Sequence, residues 1–242
     1  MVATANLLSL NEGLTGEIVV AGRPVPLALR RSKRARRMLL KLDLRTGGIE
    51  LVLPNRASAA QGLRFVEQQQ AWIARRMASL PPRIRFEDGA EVPVLGSPCR
   101  IRHQPGRRGS VWLENAEIHV AGGAEHINRR VTDWFKDQAR KQLGQRARAA
   151  AARLGKPVGR VTVRDTDSRW GSCSAAGTLS FSWRLLLAPE WVLDYVVAHE
   201  VAHLAEMNHG RRFWALVGML HADIEAPRAW LRANGAALHR YG

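Results

Sequence analysis

Cysteine is scarce in this sequence: only Cys99 and Cys173 occur among its 242 residues. Two thiols are too few for a fold held together by disulfides, on which many small secreted domains depend. Long apolar runs are also missing, since no segment reaches the roughly 20 consecutive apolar residues that a membrane helix needs. Residues 1–20 lack a basic opening and a small-residue cleavage site, so we expect no signal peptide there. These absences predict a cytoplasmic protein without a membrane partner.

Acidic residues are also few: 21 aspartate and glutamate residues stand against 37 arginine and lysine residues, for a formal net charge of +16. Such a charge attracts polyanions, and a nucleic acid is one expected partner. Arginines of a predicted long helix would form the binding surface, among them Arg129, Arg130, Arg140 and Arg146. The alternative is a solvated basic surface with no partner. No base-reading motif is visible, so binding would depend on phosphate contacts.

The rest of the composition is that of a globular protein, with 46% hydrophobic residues. Residues 17–54 contain two hairpin patterns, in which short apolar runs flank AGRP and RTGG. Ser58 is a predicted N-cap for one helix that continues to the proline pair at 81–82. Four further strands are predicted over residues 91–121. The expected fold class is α+β, with a strand-rich N-terminal region over residues 1–122 that contains one helix.

A second domain is predicted over residues 123–242, after a pair of glycines. Its pattern begins with a long helix over residues 125–154, a strand at VGRVTVRD and an ordered loop at DSRWGSCSAAG. TLSFSWRLLLA is the next predicted strand, and Pro189 with Glu190 opens the helix that follows. Two closing helices are predicted over GRRFWALVGML and APRAWLRANG.

The helix that begins near Pro189 contains YVVAHEVAHLAEMNHG, an apolar run interrupted by three histidines and two glutamates. His199 and His203 are four residues apart, so they lie on one helix face and can bind one cation. Glu200 is placed to reach a water on that cation without binding the cation itself. HEVAH is thus the HExxH pattern of zinc hydrolases. Two idle surface histidines are the alternative, but their apolar surroundings favour a metal ion that satisfies both imidazoles.

A catalytic zinc site needs a third protein ligand and an open position, and both Glu206 and His209 are in reach. We favour His209, because Asn208 and Gly210 tolerate the left-handed backbone of a turn that would end the helix and return His209 to the metal. Glu206 would then orient a ligand from outside the metal's own contacts. With Zn²⁺ bound, Glu200 would act as general base and then pass the proton to the leaving nitrogen of a cleaved peptide bond.

The segment RWGSCSAAGTLSFSWRLLLAPEWVLDYVVAHEVAHLAEMNHGRRFWALV resembles the YgjP-like metallopeptidase-domain family, a zincin group related to the SprT and WLM proteases. RWGSCS, LAP, DYVV, HExxH and NH-x-x-x-FW occur in the family's order and spacing over residues 165 to about 220, and RRSKRARRM and LVLPNRAS resemble it more loosely. The resemblance implies a zincin core: a small twisted sheet, an active-site helix and supporting helices. It implies His199, His203 and His209 as metal ligands and Glu200 as the base.

The same resemblance places RWGSCS beside the active site, where Arg169 would stabilise an oxyanion or bind an acidic group. A structural reading competes with this one: Trp170 in the core, Gly171 in a tight turn and Cys173 as an inert thiol. The resemblance also implies that TLSFSWRLLLA is the edge strand of the cleft and pairs with an extended peptide. Ser182 stands where the family often has asparagine, which leaves the role of that side chain open.

Three functions therefore compete. The first is a zinc metallopeptidase that cleaves a peptide or protein substrate. The second is a metal-dependent hydrolase of nucleotide phosphoanhydrides, which suits the positive charge, although phosphate chemistry usually employs carboxylate-rich magnesium sites or two metals. The third is a nucleic-acid-binding module with structural zinc, although such sites usually contain cysteine and neither cysteine lies at ligand spacing. The zinc metallopeptidase is the expected function.

Overall fold

The computed structural model describes residues 14–242 and divides the chain into two compact units, residues 1–82 and residues 83–242. Residues 1–13 lie outside the described part, and with them most of the segment in which we expect no signal peptide. Among the described residues, every helix is too short or too polar to cross a bilayer. Cys99 and Cys173 are both free thiols.

The first unit contains a four-stranded sheet that confirms both predicted hairpins. Its strands are β1 (Leu14–Val20), β2 (Arg23–Ser32), β3 (Leu39–Leu42) and β4 (Ile49–Pro54). The strand order is β1-β2-β4-β3, so the hairpins are joined by a parallel pair in which Leu29 lies opposite Leu51. Alternate residues of β2 are buried, as expected of a sheet with one face on a core.

Two helices cover this sheet where the sequence predicts one. Ser58 caps the first, α1 (Ala59–Gln68), through a capping box with Gln61. Gln69 then departs from helical dihedrals, and α2 (Gln70–Ala78) begins directly after it. Each helix buries an apolar residue against the sheet core, which consists of Ile18, Val20, Val25, Leu27, Leu29, Ile49, Leu51, Leu53, Val66 and Ile73.

The second unit begins with another four-stranded sheet. Its strands are β5 (Glu91–Val94), β6 (Ser97–Gln104), β7 (Val111–Glu114) and β8 (Glu117–Ala121), in the order β5-β6-β8-β7. Ile101 and Ile118 of this sheet share one core with Val131 and Phe135 of the long helix that follows. The compact units therefore divide after Pro82 and not at residue 122 as predicted, because the sheet and the helix bury the same apolar surface.

The long helix, α3 (Ile127–Arg153), lies beside a three-stranded sheet and three shorter helices. The sheet contains β9 (Val161–Arg164), β10 (Gly171–Cys173) and β11 (Leu179–Ser182), in the order β10-β11-β9. The helices are α4 (Glu190–Ala202), α5 (Arg211–Leu220) and α6 (Glu225–Leu238). The α+β fold class, with a strand-rich N-terminal part, is confirmed.

The segment from residue 178 to residue 188 differs from the prediction in two ways. Only β11 is a strand, and it is the central strand of its sheet, so the prediction of an edge strand is wrong. Residues 183–187 form a 3-10 helix, whose first turn is capped when Arg184 donates its backbone N–H to Oγ of Ser182. All five residues of this helix are buried, which an exposed edge would not allow. The edge strand next to α4 is β10.

Arg184 is a buried cation in this second unit, with 4% of its surface exposed. Its Nε donates to Asp165 at 2.9 Å, and its Nη1 donates to the carbonyl oxygens of Leu238 at 2.9 Å and Tyr241 at 2.7 Å. The residue therefore joins the loop after β9 to the C-terminal end of the chain.

Arg184→Ala should destabilise the second unit by about 3 kcal/mol, because a carboxylate and two carbonyl oxygens lose their shared donor. Urea denaturation followed by circular dichroism measures the loss. Arg140→Ala is the matched control, since its partner Asp137 is exposed and such pairs contribute about 0–1 kcal/mol. Equal losses for the two variants would contradict the importance of Arg184.

Candidate metal centre

Helix α4 carries His199 and Glu200, and most of its residues are buried on every face of the helix. Nine of its residues are buried: Val192, Leu193, Tyr195, Val196, Val197, Ala198, Glu200, Val201 and Ala202. Pro189 precedes the first turn and Glu190 occupies it, as predicted. Because the helix is enclosed, its polar side chains are held in fixed directions.

The helix ends earlier than the sequence predicts. Its last residue is Ala202, and His203 is the C-cap with φ −66° and ψ −17°. Leu204 and Ala205 donate to the carbonyl oxygens of Val201 and Ala202, which tightens the end of the helix into a turn. His203 keeps helical dihedrals, so it still lies one turn from His199.

The predicted left-handed turn at Asn208 and Gly210 is absent. Asn208 does not have a positive φ, and Gly210 has φ −82°. The chain instead leaves the helix at His203 and enters α5 after Gly210, and this early exit is what brings His209 back. The return of His209 is thus as expected, but its cause is the tight end of α4.

Three imidazoles converge at this point: His199, His203 and His209. One ring nitrogen from each lies within 4.8 Å of those of the other two. Nε2 of His199 and Nε2 of His209 are 3.1 Å apart. Two nitrogens each about 2.0–2.1 Å from a tetrahedral zinc ion would be about 3.4 Å apart, so this donor set fits such an ion. Glu206 does not belong to the cluster.

A hydrogen bond fixes the tautomer of His203, because its Nδ1 donates to the carbonyl oxygen of Glu206 at 3.1 Å. Nε2 of His203 is then an acceptor, as a metal ligand must be. The prediction that residue 206 supports a ligand therefore has a counterpart in its backbone carbonyl, whereas its carboxylate accepts from the N–H of Asn208.

The environment disfavours the charged forms of His199 and His203. Burial, the neighbouring His203 and His209, and the charge of Arg228 lower the pKa of His199 to about 4. Burial also lowers the pKa of His203, although its bond to the Glu206 carbonyl acts in the opposite direction. A neutral imidazole is the form that binds a metal, so the lowered pKa values of His199 and His203 favour metal binding.

Phe213 of α5 packs against all three imidazoles, at ring-centroid distances of 4.9 Å from His199, 4.5 Å from His203 and 4.7 Å from His209. It is fully buried, so it limits the rotation of each ring. No role at the site is predicted for Phe213 from the sequence. Its place in NH-x-x-x-FW, four residues after His209, was the available signal.

Glu200 lies next to His199 and is buried, with 6% of its surface exposed. Burial raises the pKa of its carboxyl group to about 7, and the charge of Arg169 acts in the opposite direction. A carboxylate in this position can exchange protons with a bound water or substrate.

Gly171 of β10 makes room for that carboxylate. A β-carbon at Gly171 would lie 2.4 Å from Cγ and 2.6 Å from Oε1 of Glu200, closer than real side chains approach. The residue belongs to a strand, so the suggestion of a tight turn there is wrong. Its neighbour Trp170 is half-buried and stacks on His239 at 5.0 Å, and Cys173 is half-buried.

Gly171→Ala should lower kcat by about 10²-fold while leaving the metal content unchanged, because the three atoms nearest to the new methyl group all belong to Glu200, whose carboxylate it displaces. Metal analysis and steady-state kinetics test the two halves of this expectation. Ser172→Ala is the control, since adjacent strand residues point to opposite faces. Equal kcat values for the two variants would contradict the proposed contact.

A cavity of about 410 Å³ lies beside these groups, lined among others by Arg169, Tyr195, His199, Glu200, Arg228 and Arg232. Tyr195 is 5% exposed yet borders the cavity, with its ring 6.0 Å from that of His199. Arg228 pairs with Glu225 at 2.7 Å and lies over Trp214. Among residues 14–242, Arg169 and Arg232 have no carboxylate partner. The cleft is therefore strongly cationic.

A mixed helix–sheet fold with three clustered histidines beside a buried glutamate defines a metallohydrolase class of protein. The chain belongs to the YgjP-like family: the pattern of the YgjP-like metallopeptidase domain matches residues 38–234. The resemblance found in the sequence is confirmed, and the match extends into the first compact unit. The family indicates a metal-dependent hydrolase of metallopeptidase type. Searches of curated proteins and of solved structures gave no match.

Proposed function

We propose that this protein is a zinc metallopeptidase that cleaves a peptide or protein substrate in the cleft beside α4. The observation that carries the proposal is the convergence of His199, His203 and His209 next to the carboxylate of Glu200. Three imidazole ligands with space for water and substrate are typical of catalytic zinc.

His199, His203 and His209 would hold the zinc ion. When bound, this ion would act as a Lewis acid that lowers the pKa of a water and polarises a carbonyl group. Glu200 takes a proton from the attacking water and delivers it to the leaving nitrogen. Phe213 keeps the three imidazoles in place, and the Glu206 carbonyl holds the tautomer of His203. An extended substrate would pair with β10, the strand next to Glu200.

Arg169 would bind an oxyanion or an acidic group of the substrate. It lines the same cavity as Glu200 and influences the carboxyl group of Glu200 electrostatically. This assignment keeps the role that the sequence suggested, since Arg169 contacts the space in which a substrate would lie.

The second candidate, hydrolysis of a nucleotide phosphoanhydride, is favoured by one observation: the cavity is lined by Arg169, Arg228 and Arg232. Guanidinium groups bind phosphate well. The third candidate, a structural zinc site, receives less support because Cys99 and Cys173 are outside the histidine cluster and the cluster adjoins an open cleft.

One experiment distinguishes the candidates. The purified protein, with its metal counted, is incubated with a peptide library and separately with nucleoside triphosphates, each with and without a chelator. Chelator-sensitive peptide cleavage supports the peptidase, and chelator-sensitive release of phosphate or pyrophosphate supports the second candidate. Bound zinc without turnover of either panel would favour a structural site.

A further inference from the structure

The arginines of α3, predicted to form a polyanion-binding surface, are largely engaged with other groups. Arg129 pairs with Asp133, Arg140 with Asp137, and Arg146 with Glu190 and Asp194. Arg130 donates to the carbonyl oxygens of Gly109 and Ala121. Acidic residues of α3 and α4 therefore partly neutralise three of the four arginines, and the binding of a polyanion by this helix stays a prediction.

The first compact unit holds a separate concentration of positive charge. Its sequence, residues 1–82, contains 13 arginine and lysine residues against five acidic ones. Six of the 13 lie in residues 30–37, which we call the basic turn: they comprise the last three residues of β2 and most of the link to β3. Arg30 pairs with Glu50, and Arg31 donates to the carbonyl oxygens of Asn55 and Ala57.

The other four cations of the basic turn are exposed and lack acidic partners. Within residues 14–242, no carboxylate lies within 4.0 Å of Lys33, Arg34, Arg36 or Arg37. Four like charges in five residues repel one another, and a polyanion would relieve this repulsion. An ordinary solvated surface, by contrast, intersperses both signs of charge.

An apolar groove adjoins the basic turn. Its volume is about 550 Å³, and its lining residues are Arg37, Met38, Leu39, Leu40, Phe65, Gln69 and Trp72. Phe65 and Trp72 are half-buried, and Leu39 is 39% exposed. Arg76 lies on Trp72 with its guanidinium carbon 5.8 Å from the ring centroid. Arg37 thus belongs both to the groove and to the row of free cations.

This combination matches the chemistry of unpaired nucleotides. Single-stranded nucleic acid presents regularly spaced phosphates together with bases whose faces are free to stack, and its binding sites combine cationic tracks with aromatic side chains. A duplex hides its base faces, so it would use the cations but not the groove. An acidic polypeptide would likewise leave the aromatic groove without a matching group.

We propose that the first compact unit binds single-stranded nucleic acid, with phosphates on Lys33, Arg34, Arg36 and Arg37 and a base in the groove against Trp72. Recognition would be independent of sequence, because aromatic faces accept any base and the cations contact only the backbone. This binding site is distinct from the metal centre, and its existence does not depend on the reaction proposed there.

The test is a fluorescence-anisotropy titration of the full-length protein with a labelled oligothymidylate at several salt concentrations. One variant changes Lys33, Arg34, Arg36 and Arg37 to Gln. A control variant changes four exposed cations of α3 to Gln: Arg129, Arg140, Lys141 and Arg148. The basic-turn variant should bind at least about 10-fold more weakly, and its log–log salt slope should decrease by about 2 to 3. Equal weakening by the control variant would overturn the assignment.

Trp72→Ala should weaken oligothymidylate binding by roughly 5- to 100-fold and leave binding of labelled heparin, a polyanion without bases, unchanged. Trp72→Phe should retain most of the affinity, and Phe65→Ala provides a second test of the groove if Trp72→Ala fails to fold. Equal loss for both probes, or a duplex bound as tightly as the single strand, would overturn the proposed role of the groove.

Discussion

Glu200→Gln should bind as much metal as the unaltered protein and lose about 10²- to 10⁴-fold in kcat. Glutamine preserves the shape of the side chain beside Gly171, but it cannot accept the proton from the attacking water. The three imidazoles are unchanged, so the metal content should remain constant. Metal analysis by mass spectrometry and kinetics with whichever substrate panel gives turnover measure both quantities.

The matched control is Glu206→Gln, which makes the same chemical change three residues from His203 in a half-buried position outside the cluster. It should retain kcat within a few fold. A Glu200→Gln protein with normal turnover would refute general-base catalysis by this residue, even if the metal site itself were correct.

The second large effect concerns metal binding. His199→Ala and His203→Ala should bind little metal, and His209→Ala should lower the affinity by several orders of magnitude, because each removes one of three nitrogen ligands. Glu206→Ala should cost at most about 10- to 100-fold, since this residue supports His203 through a backbone carbonyl that alanine retains.

A competition titration against a chromophoric chelator measures these affinities. Circular dichroism of each metal-free variant serves as the control, because a lost fold would also lower affinity. A larger loss for Glu206→Ala than for His209→Ala would transfer the third ligand to Glu206.

The parts of the site that the sequence predicted are local. His199, Glu200 and His203 follow from the helical period, which places residues four apart on one face whatever surrounds them. Ser58 and Pro189 were equally readable, because capping depends on a few neighbouring residues. These residues could be assigned their roles without knowledge of contacts between residues far apart in the sequence.

The parts that the sequence missed depend on residues far apart in the chain. The steric reason for Gly171 exists only because β10 lies against α4, and the cationic cleft exists because α6 brings Arg228 and Arg232 to Arg169. Apolar patterning did not reveal that β11 is central, since a short buried strand and a buried 3-10 helix have similar composition. The unit boundary was missed because a pair of glycines marks a turn but does not show which elements share a core.

The short spacing of the histidines in the sequence affects how metal binding is coupled to folding. His199 to His209 spans only eleven residues, so closing this segment around an ion costs little chain entropy even without the rest of the fold. An unfolded chain therefore keeps part of the affinity, and the ion stabilises the native state only by the difference between its affinities for the folded and unfolded chains. Phe213 is present around the ligands in the folded state alone, so the packing of α5 determines much of that difference.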